Sequence, residues 1–224
     1  MTPVIAAPLE VAGESMLLHP AKIVWWPRRS TLLLADTHFG KAATFRQAGL
    51  PVPQGTTARM LQCWTRLMKE FRPRRMIMLG DFVHCATRAD RDFESELIQW
   101  RSQHHQLEMM LVKGNHDRGH AELFAALELV IVEEPHREDC FAMCHRPDLS
   151  LPEGTYGIAG HVHPSATIED STGSRLSLPC FHVGPRQMIL PAFGEFTGSF
   201  KTVKARGDRV FLVAENAVLE SRAR

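Results

Sequence analysis

The chain has no pair of cysteines at CxxC spacing, and its five cysteines, Cys63, Cys85, Cys140, Cys144 and Cys180, are an odd number. A disulfide framework is therefore not expected, nor is a structural zinc knot, and a reducing compartment is. No apolar run approaches the roughly 18 residues that a membrane span requires. The first residues lack a basic stretch followed by an apolar one, so no signal peptide is expected either. The expected address is the cytoplasm, with no membrane partner. A dominant charge is also missing: 26 basic and 25 acidic residues leave a formal net charge of +1. That balance neither supports nor excludes nucleic acid, because a basic face would have to be assembled locally. Arg28 and Arg29, then Arg72, Arg74 and Arg75, then Lys201, Lys204, Arg206 and Arg209 form such groups, each read first as solvated surface. Internal repeats, low-complexity tracts, a GxSxG elbow, a Walker loop and a base-reading zinc finger are all absent.

What is present is a chain of 224 residues, 44% apolar and 23% charged, enough for one domain spanning residues 1–224 with a substantial core. The Pro- and Ala-rich start, through about Ser15, is expected to be loosely held. Met16 to His19 and Lys22 to Trp26 read as short strands, with a turn at 27–30. Thr31 to Ala35, Met76 to Leu79 and Leu107 to Val112 are apolar runs too short for helices and read as buried strands. Ala58 to Glu70, Asp92 to Gln103 and Ala121 to Leu127 have helical spacing, and Leu129 to Val132 reads as a strand. Beyond these, short strands follow one another: Phe141 to Cys144, Tyr156 to Ala159, Leu176 to Phe181, Met188 to Leu190 and Val210 to Val213.

Twelve histidines are many for this length, and their placement is informative. Three successive strands end at Asp36-Thr37-His38, at Gly80-Asp81-Phe82-Val83-His84 and at Gly114-Asn115-His116-Asp117. Later, His145 and Gly160-His161-Val162-His163 also follow strands. In α/β proteins sites are built at the carboxyl ends of strands. Carboxylate oxygens with imidazole nitrogens suit Mn²⁺, Fe²⁺ or Zn²⁺. The pairs Asp36/His38 and His161/His163 sit just past strands, where loop geometry rather than strand periodicity aims the side chains. Any one of these motifs alone is more often incidental; the ordered set points to metal.

The ordered set resembles the binuclear metallophosphoesterase superfamily over about residues 31–163. The resemblance implies an α/β fold, a single-domain four-layer α/β/β/α sandwich. It assigns Asp36, His38 and His163 to one divalent ion and Asn115, His145 and His161 to a second, with Asp81 bridging. His145 is preferred over His120 and His136 because it directly follows a strand. It places His116 beside the phosphate as general acid, with His84 and Asp117 as residues that orient it or the ligands. Two cations about 3.5–4 Å apart can share a water and bring its pKa near neutrality, giving a hydroxide nucleophile. The stretches 35–53, 151–164 and 190–198 further resemble the bacterial ligase-associated, Lhr-helicase-associated DNA endonuclease branch. That closer likeness implies a Mn²⁺-dependent enzyme that incises single-stranded DNA in repair, in functional association with a helicase, an exonuclease and an ATP-dependent DNA ligase. Lys41, Arg46 and Arg146 are candidates for phosphate contacts. Phe39, Phe45 and Phe82 are candidates for base stacking, with core packing the default. A phosphoesterase for a small nucleotide is the alternative. A non-catalytic scaffold on the same fold is remote, since every ligand position is filled.

Overall fold

The computed structural model describes residues 3–84, 92–147, 149–169 and 172–221. The first sheet runs in the order β1 (Ala7–Val11), β2 (Glu14–His19), β3 (Ile23–Trp26), β4 (Thr31–Leu34), β5 (Arg75–Leu79), β6 (Glu108–Val112) and β7 (Val130–Val132). Pairing is antiparallel from β1 to β4 and parallel from β4 to β7. The helices are α1 (Lys41–Gln47), α2 (Thr56–Phe71), α3 (Asp92–Gln103) and α4 (Ala121–Ala126).

The apolar runs of β4, β5 and β6 are continuous because both faces of the sheet are covered. Leu32, Leu34, Met76, Met78, Met109 and Leu111 pack under the helices with Met60, Leu61, Trp64 and Leu67 of α2. Their neighbours Leu33, Ile77, Leu79, Met110 and Val112 point the other way, as a period of two demands. They meet Phe141, Ile158, Phe181, Met188 and Phe211 of a second sheet.

That second sheet holds β8 (His136–Glu138), β9 (Phe141–Met143), β10 (Tyr156–Ala159), β11 (Pro164–Glu169), β12 (Arg175–Val183), β13 (Gln187–Ile189) and β14 (Phe200–Lys201). Its order is β14-β11-β12-β13-β10-β9-β8, with β15 (Arg209–Val213) joining β12 to β16 (Val218–Glu220). Strands β9 and β10 are parallel. The two packed sheets with helices outside the first follow the expected sandwich. Among the described residues the outer face of the second sheet carries no helix, only the small apolar cluster of Cys180, Val210 and Leu212.

The start of the chain corrects an expectation. Residues 7–11 are not loose: β1 pairs along its length with β2 and buries Leu9 and Val11. Pro8 misled the reading, because a proline is tolerated on an edge strand. Ala12 and Gly13, both at positive φ, close the hairpin. Cys63, Cys140, Cys144 and Cys180 are free thiols, and Cys85 lies outside the described residues. Among the described residues no helix is long and apolar enough to cross a membrane.

Candidate metal centre

Parallel pairing sends the carboxyl ends of β4, β5 and β6 to one edge of the first sheet, and those of β9 and β10 to the facing edge of the second. All the histidine- and aspartate-bearing motifs leave from these ends. Past β4 and β5 the chains stay paired: the His38 amide donates to the Asp81 carbonyl (2.9 Å) and the Phe39 amide to that of Phe82 (2.9 Å). Asp36, His38, Asp81, His161 and His163 all hold left-handed φ, between 47° and 70°. This conformation is uncommon for residues other than glycine and clusters at functional sites. It turns each side chain out of its strand's alternation.

Two groups of side chains converge. Asp36, His38 and His163 form one; Asp81, His145 and His161 form the other. In the first, Nε2 of His38 lies 3.4 Å from Nε2 of His163, which lies 3.7 Å from Oδ1 of Asp36. In the second, Nε2 of His145 lies 3.0 Å from Oδ1 of Asn115, 3.0 Å from Nδ1 of His161 and 3.4 Å from Oδ1 of Asp81. The other oxygen of Asp81 faces the first group, 3.8 Å from Nε2 of His38. Backbone joins the two edges, since the His161 amide donates to Oδ2 of Asp36 (2.8 Å).

Backbone carbonyls choose the tautomers. A carbonyl only accepts, so Nδ1 of His145, 3.1 Å from the Leu79 carbonyl, carries the proton. The same holds for Nδ1 of His163 at 3.1 Å from the Thr197 carbonyl. Both leave the Nε2 lone pair pointing inward. The lone pair of His145 thus faces the oxygens of Asn115 and Asp81 with no proton between them. Oδ1 of Asp36 is buried with no hydrogen-bond partner. Such a convergence of acceptors is unfavourable by itself and fits divalent cations. Burial, with Lys41 as the next cause, pulls His38 down to about 2, and burial lowers His161 as well; both rings are held neutral, the form that ligates.

The glycines before two ligands make room for them. A Cβ on Gly80 would fall 2.3 Å from Nδ1 of His145, and one on Gly114 would fall 2.4 Å from Oδ1 of Asp81. Both clash distances are out of reach for any side chain.

The remaining candidates divide. His116 borders the cluster, its side chain 43% exposed and its Nε2 3.9 Å from Oδ2 of Asp81, and its amide donates to Oδ1 of Asp81 (3.0 Å). His84 lies against it. Asp117 is bonded to backbone amides. It clamps the ligand loops, accepting from the amides of Phe82 (2.8 Å), Val83 (3.2 Å) and Gly114 (2.8 Å). Lys41 is half-buried, opens α1 and sits over the ring of Phe45. The field of Asp81 and Asp36 opposes the downward push of burial on its ammonium. Arg46 is exposed, bonds the Pro53 carbonyl (3.2 Å) and lines a hollow of about 250 Å³ beside His38. Arg146 is engaged by Glu134, which accepts from its Nε (3.1 Å) and from the amides of His145 (2.7 Å) and Arg146 (2.9 Å). It therefore acts first as a brace for the His145 loop. Phe39 and Phe82 are 1% and 0% exposed and pack around Trp64, so neither can stack on a base. The sequence reading missed Glu134 and the carbonyls of Leu79 and Thr197. A carbonyl leaves no trace in residue identity.

The chain matches the calcineurin-like phosphoesterase family over residues 30–184. None of the curated proteins matches it. Among solved structures it is similar to a nuclease, MPE, from Pseudomonas putida, with 34% identity, a TM-score of 0.81, and coverage of 96% of this chain and 100% of that one. A phosphoesterase from E. coli, Yfce, aligns at a TM-score of 0.44 and 10% identity over 85% of this chain and 97% of its own, too remote to bear on the argument.

Proposed function

The chain belongs to the calcineurin-like phosphoesterases and is a metal-dependent phosphoester hydrolase, and from that premise we propose that it is a Mn²⁺-dependent endonuclease acting on single-stranded DNA in repair. The observation that carries the metal chemistry is the inward lone pair of His145, ringed by Asn115, Asp81 and His161 within 3.4 Å. The nuclease assignment is supported by the likeness to the Pseudomonas putida nuclease across nearly the whole chain. Resemblance alone supports single strands, manganese and work beside a helicase, an exonuclease and an ATP-dependent ligase.

In this reading Asp36, His38 and His163 would hold one cation and Asn115, His145 and His161 the other, with Asp81 facing both groups. Two divalent cations bound there would supply an acidified water as nucleophile and positive charge to offset that of the phosphate. The rest falls to the chain. His116 stands at the open side and gives a proton to the departing oxygen. His84 backs His116. Asp117 fixes the loops that set Asp81 and Asn115 in register. Lys41 and Arg46, at and beside the first group, draw in the phosphates that flank the one being cut.

The test is cleavage of an end-labelled single-stranded oligonucleotide by the purified protein, with Mn²⁺, without metal, and with Asp81→Ala as control. Internal cuts that need both Mn²⁺ and Asp81 are the expected result. An intact oligonucleotide beside Mn²⁺-dependent hydrolysis of bis(4-nitrophenyl) phosphate would overturn the DNA reading and turn the search to small nucleotides.

A further inference from the structure

Among the described residues two aromatic rings stand well out into solvent, Phe196 at 40% and Phe200 at 68% exposure. Single exposed apolar residues are ordinary. These two share one short segment, and that segment is a wall of the metal centre that supplies no ligand. Its start is stitched to the first ligand loop: the Phe193 amide donates to the Ala35 carbonyl (2.8 Å) and the Gly194 amide to that of Asp36 (3.0 Å). Its middle gives the Thr197 carbonyl to Nδ1 of His163. At its end the Phe200 amide donates to the His163 carbonyl (3.0 Å). Phe196 also holds a left-handed φ of 59°, a conformation costly for a bulky residue. The fold thus keeps two rings uncovered, one of them on strained backbone, on a segment hydrogen-bonded to the proposed ligand His163.

Positive charge continues along the same path. Lys201 and Arg206 are exposed, and neither has an ion-pair partner among the described residues. The loop between them is held down. His182 bonds Asp208 through Nε2 (2.7 Å) and Thr202 through Nδ1 (2.6 Å). The Ala205 amide donates to the same carboxylate (2.8 Å).

We propose that Phe196 and Phe200 are a stacking platform for unpaired bases next to the scissile phosphate, with Lys201 and Arg206 following the strand's backbone. This deepens the reading of the protein as a single-strand nuclease and rests on it. Exposed rings beside unpaired cations bind single strands without regard to sequence, because every base offers a π-face. In a duplex those faces are already stacked, so the platform favours unpaired substrate. Phe196 and Phe200 thereby take the role that Phe39 and Phe82, buried in the core, cannot fill.

The experiment compares wild type, Phe196→Ala/Phe200→Ala, and Phe200→Trp on a single-stranded oligonucleotide, the matching duplex, and bis(4-nitrophenyl) phosphate, each with Mn²⁺. The double variant should raise KM for the oligonucleotide, relative to KM for the small diester, by about tenfold or more. Its preference for single strand over duplex should shrink with it, and Phe200→Trp should keep both. A relative KM within twofold of wild type overturns the platform. Equal losses on both substrates, or failure of tryptophan to serve, show a merely structural role and overturn it too. If wild type cuts the small diester and leaves the oligonucleotide intact, the nuclease reading fails first, and the platform with it.

Discussion

The imidazoles of His84 and His116 lie nearly face to face, their ring centroids 4.4 Å apart and their planes 35° from parallel. Two charged rings at that separation would repel. Burial first, then His116 and Lys41, pull His84 down to about 4. His84 therefore gains a proton only as pH falls through about 4 and is neutral from pH 5 to 8. His116 is the ring of the pair that faces solvent and borders Asp81.

On that ground His116→Ala should slow an oligonucleotide, whose alkoxide leaves poorly, by about 10²–10⁴-fold. A nitrophenyl ester, which leaves without protonation, should lose less than tenfold. Steady-state rates on the two substrates decide it. Equal losses would remove the general-acid role. His84→Gln should lower the rate without moving its pH midpoint between 5 and 8.

Asp81 presents a different oxygen to each ligand group, 3.8 Å from His38 and 3.4 Å from His145. Asp81→Ala should lower the hydrolysis of bis(4-nitrophenyl) phosphate by about a thousandfold or more, since cation charge stabilisation is worth several kcal/mol. Turnover within tenfold of wild type would contradict the bridging position.

Gly80→Ala places a methyl where the ring of His145 stands, at a φ of +77°. The backbone strain alone should cost about 1–2 kcal/mol. Displacing His145 should also reduce bound metal from two equivalents to one, read by metal analysis after dialysis against Mn²⁺. Two equivalents in a folded variant would show that the ring has room to spare.

The proposed ligands come from both sheets, so cations should hold the two edges together. Chelation should lower Tm, and Mn²⁺ at a hundred times Kd should return about 2.7 kcal/mol per site. Thermal melts with EDTA and with graded Mn²⁺ test this. A Tm indifferent to both would mean that the folded chain does not bind the metal in preference to the unfolded one.

Lys22 is half-buried behind the wall of the metal centre, its ammonium 3.4 Å from the Gly194 carbonyl. Burial lowers it to about 8 from an ordinary 10.5. Between those values the unfolded chain holds a proton that the folded chain lacks, so this residue adds stability as pH rises from 8 to 10.5. Buried Cys144 and Cys180 act oppositely above pH 9, because burial keeps their thiols protonated. The contrast with Lys22→Met in urea melts at pH 7.5 and 9.5 isolates the lysine. Wild type should gain on the variant as pH rises.

Strands β4, β5 and β6 were legible because burial on both faces leaves unbroken apolar runs between turn residues. The side chains that converge in the two groups were legible because each stands just after a strand. Strands β8, β14 and β16 were not, because they have two or three residues apiece, too few for a period to show. Helix α1 was missed because it is a single short element entered from Gly40 at a φ of 90°. The bracing of the His145 loop by Arg146 and Glu134 was not legible, because the two lie twelve residues apart and nothing local announces the pair.

The loops after β4, β5, β6, β9 and β10 hold every proposed ligand, and the wall from Phe193 to Lys201 holds none. What reacts and what is allowed to react are thus written in different stretches of the chain. A lineage could exchange residues 195–206, altering rings and charges, and inherit the catalytic apparatus intact. A swap of that stretch between two such proteins is then the natural way to redirect this chemistry to another phosphodiester.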